Sequence, residues 1–439
     1  MKIIMHPKHA LFISLLLLFV IGAFVYLGSG AYSDNDAASQ ACLACHQEIT
    51  PQIIDHWKES GHAKKGVGCF ECHQAKSGEP DAFDHNGYTI ATIVSPKDCG
   101  RCHAKEFKEQ QGSRHADAAS FIGSLDNVLG EVVEGGPAAT SGCKQCHGST
   151  VKVLGDGKLD PATWPNGGMG RINPDGSKGS CAGCHYRHEF SLKTARHPDT
   201  CGRCHMGPDH PQREIYGESK HGINFMANID KMKTEKKSWV LGKDYSAAPN
   251  CVTCHMGATK DLPSTHDVGA RISWTLRPVI SSKIANWEKK RADMQSVCSN
   301  CHSPQWVKNF YTQYDNLVVH YNDKFAKPAK AIMDKLLAEK KITKTPFDDK
   351  IEWVYYELWH HEGRRARMGA SMMGPDYTQW HGMYEVAKHF YSEFIPEAER
   401  LLPGVAKEYM DSDFHKWQKG LSKEEMERQV KFYKERYGE

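Results

Sequence analysis

The hydrophobic pattern begins with one continuous apolar run, Ala10–Leu27, which is 18 residues without a charge and follows Lys2 and Lys8. That length is at the short end for a membrane-spanning helix and long for the apolar stretch of a secretion signal. It predicts a membrane anchor over residues 1–31. A cleaved signal is the alternative, with the small residues Gly28-Ser29-Gly30-Ala31 offering a cutting point. The positive-inside bias keeps Lys2 and Lys8 in the cytoplasm and exports the body of the chain. Beyond the run the pattern changes character twice. Residues 32–302 carry no sustained period and are broken by segments such as Glu134-Gly135-Gly136-Pro137 and Trp164-Pro165-Asn166-Gly167-Gly168. Short helices and loops with little regular sheet are expected there.

From residue 303 to 439 the apolar positions fall at helical spacing. They are Trp306, Phe310, Leu317, Tyr321 and Phe325, then Trp353, Tyr356 and Trp359-His360, then Tyr384, Ala387 and Tyr391. Pro346, Pro375, Pro396 and Pro403 read as breaks, so three long helices plus shorter ones are expected. The fold class is therefore mainly α, an irregular domain over 32–302 followed by a C-terminal helical bundle over 303–439. The bundle would pack on the preceding domain, and it could also mediate oligomerisation and reach toward an active site.

Charge changes the picture mainly by exclusion. Lys and Arg total 56 against 53 Asp and Glu, a net charge of +3, so a strongly basic nucleic-acid binder is excluded. A quarter of the residues are charged and 10% aromatic, a composition that folds. Sixteen cysteines in 439 residues are too sparse for a small disulfide scaffold.

Those cysteines are all used by one motif. C-x-x-C-H occurs at Cys42/Cys45/His46, Cys69/Cys72/His73, Cys99/Cys102/His103, Cys143/Cys146/His147, Cys181/Cys184/His185, Cys201/Cys204/His205, Cys251/Cys254/His255 and Cys298/Cys301/His302. This is the attachment signal for c-type haem, with two thioether bonds to the vinyl groups and the adjacent imidazole as proximal iron ligand. Disulfides would not need a His after every second Cys. Structural zinc would need partner ligands that eight identical units do not supply. Eight covalent haems are expected. Covalent attachment of this kind takes place on the outer, periplasmic side of a bacterial inner membrane, which agrees with the N-terminal signal. The units start at uneven intervals, so they are not a solenoid of equal repeats.

Seventeen of the 25 histidines lie outside the motifs. His62, His115 and His221 each follow a Ser two residues earlier (Ser60, Ser113, Ser219), and Trp57 and Tyr216 precede the first and last of them by five residues. These three, with His85, His188, His197 and His266, are candidate distal ligands, enough to cap seven irons and leave one open. Six-coordinate haems suit electron transfer, and an open one suits catalysis. Asp209-His210, just past the sixth motif, could cap iron or could form an acid/base pair in a distal pocket.

At these residues the chain resembles the octahaem hydroxylamine oxidoreductases (HAO). The likeness runs from Cys42 to about His389. It rests on the eight ordered motifs, Asp160–Asn166 (DPATWPN), Asn173–Gly176 (NPDG), Cys204–Gln212 (CHMGPDHPQ), Ser219–Gly222 (SKHG) and His361–Gly382 (HEGRRARMGASMMGPDYTQWHG). The resemblance implies seven bis-His haems and one catalytic haem, by order the fourth, on Cys143, Cys146 and His147. It implies that Asp209 and His210 line the distal pocket, and that the protein is a homotrimer acting on a small nitrogenous substrate.

Hydroxylamine-oxidising members of the family attach a C-terminal tyrosine of a neighbouring subunit to the catalytic haem, and members lacking it resemble reductases. Tyr377 is the first candidate for that role and Tyr384 the second. The expected reaction is hydroxylamine oxidation to nitric oxide or nitrite. The alternatives are the same site run reductively to ammonium, a sister-family reductase of tetrathionate or nitrite, and a non-catalytic electron conduit. The redox partner would be a membrane quinone pathway or a soluble cytochrome.

Overall fold

The computed structural model describes residues 34–121, 128–155 and 157–438. The anchor or signal expected over 1–31 lies outside them, and among the described residues no helix is long and apolar enough to cross a membrane. The chain is mainly helical, and its described strands form three two-stranded sheets. It divides into two compact units. One comprises the chain up to Val94 with Val153–Leu159 and Tyr186–Phe190, and the other holds the remainder.

In the first unit, α1 (Asp34–Ile49) carries the first motif on its last turns and leads into α2 (Pro51–Glu59). The hairpin β1 (Ala82–His85) and β2 (Tyr88–Ala91) pairs Ala82 with Ala91 and His85 with Tyr88. Asn86 and Gly87 close it with positive φ angles of 53° and 84°. That turn geometry matches the twist of antiparallel strands and favours Asn-Gly. It fixes His85 at the end of β1.

In the second unit the motif residues sit on short helical turns, among them Cys143–His147 and Cys251–His255. Gly148 has φ +86°, and a Cβ there would meet Arg171 N at 2.3 Å. Only glycine lets the fourth motif pack this closely on the loop after Asn166. Two helices follow the sixth motif, α3 (Gln212–Glu218) and α4 (Lys220–Ala227).

The C-terminal region contains three long helices, as its periodicity predicts. The first joins α5 (Pro304–Tyr321) and α6 (Lys327–Ala338) through a π segment, Asn322–Ala326. The second joins α7 (Lys350–Tyr356) and α8 (Gly363–Met372) through Glu357–Glu362. The third runs from α9 (Pro375–Thr378) through Gln379–Tyr384, α10 (Glu385–His389) and Phe390–Phe394 to α11 (Ile395–Leu401). Pro396 therefore does not break a helix. It follows a π turn, whose shifted hydrogen-bond register accommodates a residue without an N–H. Pro346, Pro375 and Pro403 do lie at helix boundaries. Tyr321, Ile332, Leu336, Ile351, Val386, Phe390 and Phe394 form the dry core of this bundle. A last helix, α12 (Lys423–Tyr437), is exposed along its length.

Candidate functional site

The sixteen thiols are unbridged. In the second unit, thiols of different motifs meet: Cys99 hydrogen-bonds Cys181, Cys146 hydrogen-bonds Cys204, and Cys201 hydrogen-bonds Cys251. Motifs three and five, four and six, and six and seven are therefore neighbours in space. Burial pushes the Cys254 thiol up to about 12, with Cys298 and Cys301 of the eighth motif adding to the rise. In the first unit burial pushes Cys69 up to about 11, with Cys42 of the first motif and its own partner Cys72 adding to it.

The motifs are alike in sequence but not in surroundings, which disagrees with a picture of eight equally enclosed attachment sites. Cys45, Cys102 and Cys301 stand exposed, and Cys72 is only half-buried. The reason is local. Cys102 N donates to Cys99 O at 3.2 Å and Cys301 N to Cys298 O at 3.1 Å, so in the third and eighth motifs a tight turn carries the second thiol outward while the first stays half-buried. Cys45 lies on the outer face of α1 near its end.

The imidazoles show what the motifs are built to hold. Five motif histidines face a histidine from elsewhere in the chain: His46 with His85 at 6.1 Å, His73 with His188 at 6.4 Å, His205 with His115 at 6.1 Å, His185 with His266 at 6.4 Å and His302 with His221 at 6.1 Å between ring centres. Rings in direct stacking contact would be closer. Two metal–nitrogen bonds of about 2 Å, plus the depth of each ring behind its nitrogen, give roughly 6.2 Å. The spacing fits an iron between each pair. Outer contacts agree with ligation through Nε2, since His46 Nδ1 lies 3.0 Å from Thr50 Oγ1 and His205 Nδ1 lies 3.3 Å from Gln212 Oε1. Burial pulls His205 down to about 3 and His188 down to about 4, which keeps both rings neutral, the ligating form.

The Ser-x-His pattern has a structural reason. Ser60 Oγ accepts from Ala63 N at 3.0 Å, Ser113 Oγ donates to Gln110 O at 2.7 Å, and Ser219 caps α4 by accepting from Gly222 N at 3.1 Å. Each serine is nearly fully buried and pins the turn that presents the histidine. Trp57 Nε1 donates to Val67 O and Tyr216 Oη to Pro249 O, so the aromatic partners are tethers as well. His62 packs edge-on to Phe190 at 4.9 Å. His197 caps the turn Pro198–Gly202, and its neighbour Arg196 accepts through its carbonyl from Asn250, which precedes the seventh motif. The motif histidines these two would complement by elimination are His103 and His255, leaving His147 of the fourth motif.

His210 stands beside that fourth motif. Its Nε2 is 2.8 Å from Cys204 O, and Cys204 is the thiol bonded to Cys146. Its Nδ1 is hydrogen-bonded to Asp209 Oδ1. Both partners accept, so both ring nitrogens donate and the ring is an imidazolium. Burial opposes that charge, but the Asp209 carboxylate and the Cys204 carbonyl outweigh it and raise His210 above the ordinary imidazole value. Burial would raise Asp209; instead His210, His360 and Arg364 hold it at about 2.

Arg364 and His360 were not singled out by sequence reasoning. Arg364 Nη1 donates to Asp209 Oδ2 at 3.1 Å and to His360 Nε2 at 2.9 Å, and Tyr356 Oη also lies 3.1 Å from His360 Nε2. The available signal was their spacing, every fourth residue from 356 to 364, ending in the HEGRRARMG stretch. The tyrosine candidates lie elsewhere on the third helix. Tyr377 is half-buried, with its backbone N 3.5 Å from Glu218 Oε1 and its ring 5.4 Å from that of His381. Tyr384 is 49% exposed and packs edge-on to Trp380.

Comparison with known proteins bears on the whole arrangement. A family model described as seven-times multihaem cytochrome CxxCH matches residues 169–346, and one described as cytochrome c554 and c-prime matches residues 98–163. A probable nitrite reductase–hydroxylamine oxidoreductase fusion protein of Kuenenia stuttgartiensis is 25% identical over 377 residues, covering 70% of this chain and 38% of that protein. The chain thus spans well under half of that relative's length. Among solved structures, a hypothetical multiheme protein matches with a TM-score of 0.73 at 24% identity, over 83% of this chain and 95% of the other. A chain of a Kuenenia stuttgartiensis reducing HAO-like protein complex matches with a TM-score of 0.62 at 21% identity, over 86% and 89%. At these identities both structures speak to the fold.

Proposed function

The chain is an HAO-like multihaem cytochrome with covalently bound c-type haems, and from that premise we propose that it is an exported octahaem oxidoreductase of small nitrogen–oxygen compounds, reducing nitrite or hydroxylamine to ammonium at the fourth motif. The observation that carries the direction is the doubly donating ring of His210 beside Cys204 and Cys146. Bound haem supplies the iron that takes the substrate nitrogen and the one-electron steps; an external donor supplies the electrons.

The chain's own part is proton delivery. Each oxygen removed from nitrogen leaves as water and needs protons close by. His210 Nδ1–H is tied to the Asp209 carboxylate, so the transferable proton is the one on Nε2, held against the Cys204 carbonyl. Asp209 stays ionised and restores the charge on the ring after each transfer. The paired histidines would hold the other irons six-coordinate for electron transfer, with Cys143, Cys146 and His147 holding the reactive one. A homotrimer, a periplasmic location and a quinone-linked or soluble cytochrome donor belong to the same reading.

The oxidative reading, hydroxylamine to nitric oxide or nitrite, draws on a different observation. Tyr384 is half exposed beside the exposed Trp380, so its ring is accessible to a neighbouring subunit. The two directions separate in one assay on purified protein. Reduced viologen with nitrite or hydroxylamine should yield ammonium. Hydroxylamine consumption with an oxidised acceptor, a red-shifted Soret shoulder and no viologen-dependent ammonium would overturn the reductive assignment. Activity in neither direction would leave an electron conduit.

A further inference from the structure

We propose that Arg364 is a positioning residue for His210, acting through Asp209, and that Tyr356 and His360 hold Arg364 in register; this rests on the functional reading above. The donors of the guanidinium are directed on every side. Nε donates to Arg277 O at 3.1 Å, and Nη1 donates to Asp209 Oδ2 at 3.1 Å and to His360 Nε2 at 2.9 Å. The guanidinium lies over the Trp359 ring at 5.2 Å, and the residue is buried. A guanidinium keeps its charge under all working conditions and offers only donors. His360 Nε2 must therefore accept, which fixes the tautomer of that ring, and Tyr356 Oη donates to the same atom.

The consequence falls on Asp209. One carboxylate oxygen is committed to Arg364 and the other to His210 Nδ1. A carboxylate held on one side only can rotate, and the imidazole it orients rotates with it. Held on both sides, it keeps His210 Nε2 against the Cys204 carbonyl. The helix geometry delivers this arrangement. Tyr356 closes α7, His360 lies in the π segment Glu357–Glu362, and Arg364 is the second residue of α8. Four residues overshoot a full α turn and undershoot the wider π turn, so a helix mixing both keeps residues four apart on one face.

The test is a double-mutant cycle on the haem-loaded protein. Arg364→Gln should lower kcat for nitrite reduction about 10- to 100-fold, the usual cost of losing an outer-shell partner. The nitrite dissociation constant from optical titration and the haem content should stay near wild type, and Arg364→Lys should recover part of the rate. A crystal structure of Arg364→Gln should show the His210 ring turned away from the Cys204 carbonyl. Adding Arg364→Gln to His210→Ala should cost no more than about twofold further, because residues acting through one another are not additive. If Arg364→Gln does not incorporate haem, the same cycle is run with Arg364→Lys. Additive losses, or a slow variant whose His210 has not moved, would overturn the positioning role alone. Undiminished turnover in His210→Ala would overturn the functional reading and this inference together.

Discussion

The two halves of the chain solve the problem of burial differently. Residues 303–410 build an ordinary core of sixteen buried apolar residues, with Ile332, Leu336, Ile351, Phe390 and Phe394 at its centre. The motif-bearing half has a smaller one of seven, around Phe225, Met232, Trp239 and Tyr245. Its remaining order comes from paired imidazoles, buried serines and close glycine contacts, while Ile223 and Met226 on α4 stay exposed beside the ligand candidate His221. Such a region is completed by its cofactor, whereas the bundle is complete in side chains alone. The difference teaches where chemistry and stability separate. Substitutions in the bundle core should cost stability, and those among the motifs should cost haem or turnover. The network through Arg364 is where the two meet.

The largest expected effect comes from the double change Cys143→Ser, Cys146→Ser. It should give a protein with one haem fewer by pyridine haemochrome count and no turnover. The same change at Cys42 and Cys45 should also remove one haem but leave measurable activity, and equal loss in both would erase the special place of the fourth motif. His210→Ala comes next, with kcat down about 10²- to 10⁴-fold, the range for a positioned general acid, at unchanged haem content. Phe390→Ala, fully buried in the bundle, should lower unfolding stability by about 3–5 kcal/mol in a denaturant melt while the haem spectrum stays intact. Loss of haem from that variant would show that the bundle is not energetically separate. The smallest effect on turnover is expected for His85→Ala, read as a high-spin signal from one haem with most activity retained.

Much of this arrangement could be read along the chain, because its chemistry is local. A C-x-x-C-H unit names its own thiols and imidazole within five residues. The helical period of 303–401 carried the three long helices, and the Asn86-Gly87 turn beside His85 is a short-range signal. What escaped was non-local. Arg364 meets Asp209 across 155 positions, and nothing in the spacing of either residue names the other. The facing of His205 with His115, or of His302 with His221, likewise depends on tertiary packing. So does the exposure of Cys102 and Cys301 against the burial of Cys254, since all three occupy the same place in the same motif. Pro396 misled because its tolerance comes from a π turn, a register change that propensity does not encode.

The most direct test of proton donation by His210 is the pH dependence of viologen-driven nitrite reduction. Its two hydrogen bonds raise this imidazole above its ordinary value, while Asp209, at about 2, stays ionised throughout. A group with a raised value keeps its proton at neutral pH and loses it as pH climbs past that value. Turnover should therefore hold steady through neutrality and fall at higher pH, with that limb abolished in His210→Ala. A rate that rises with pH through the same range would contradict the account, because the working form of His210 would then be the neutral base.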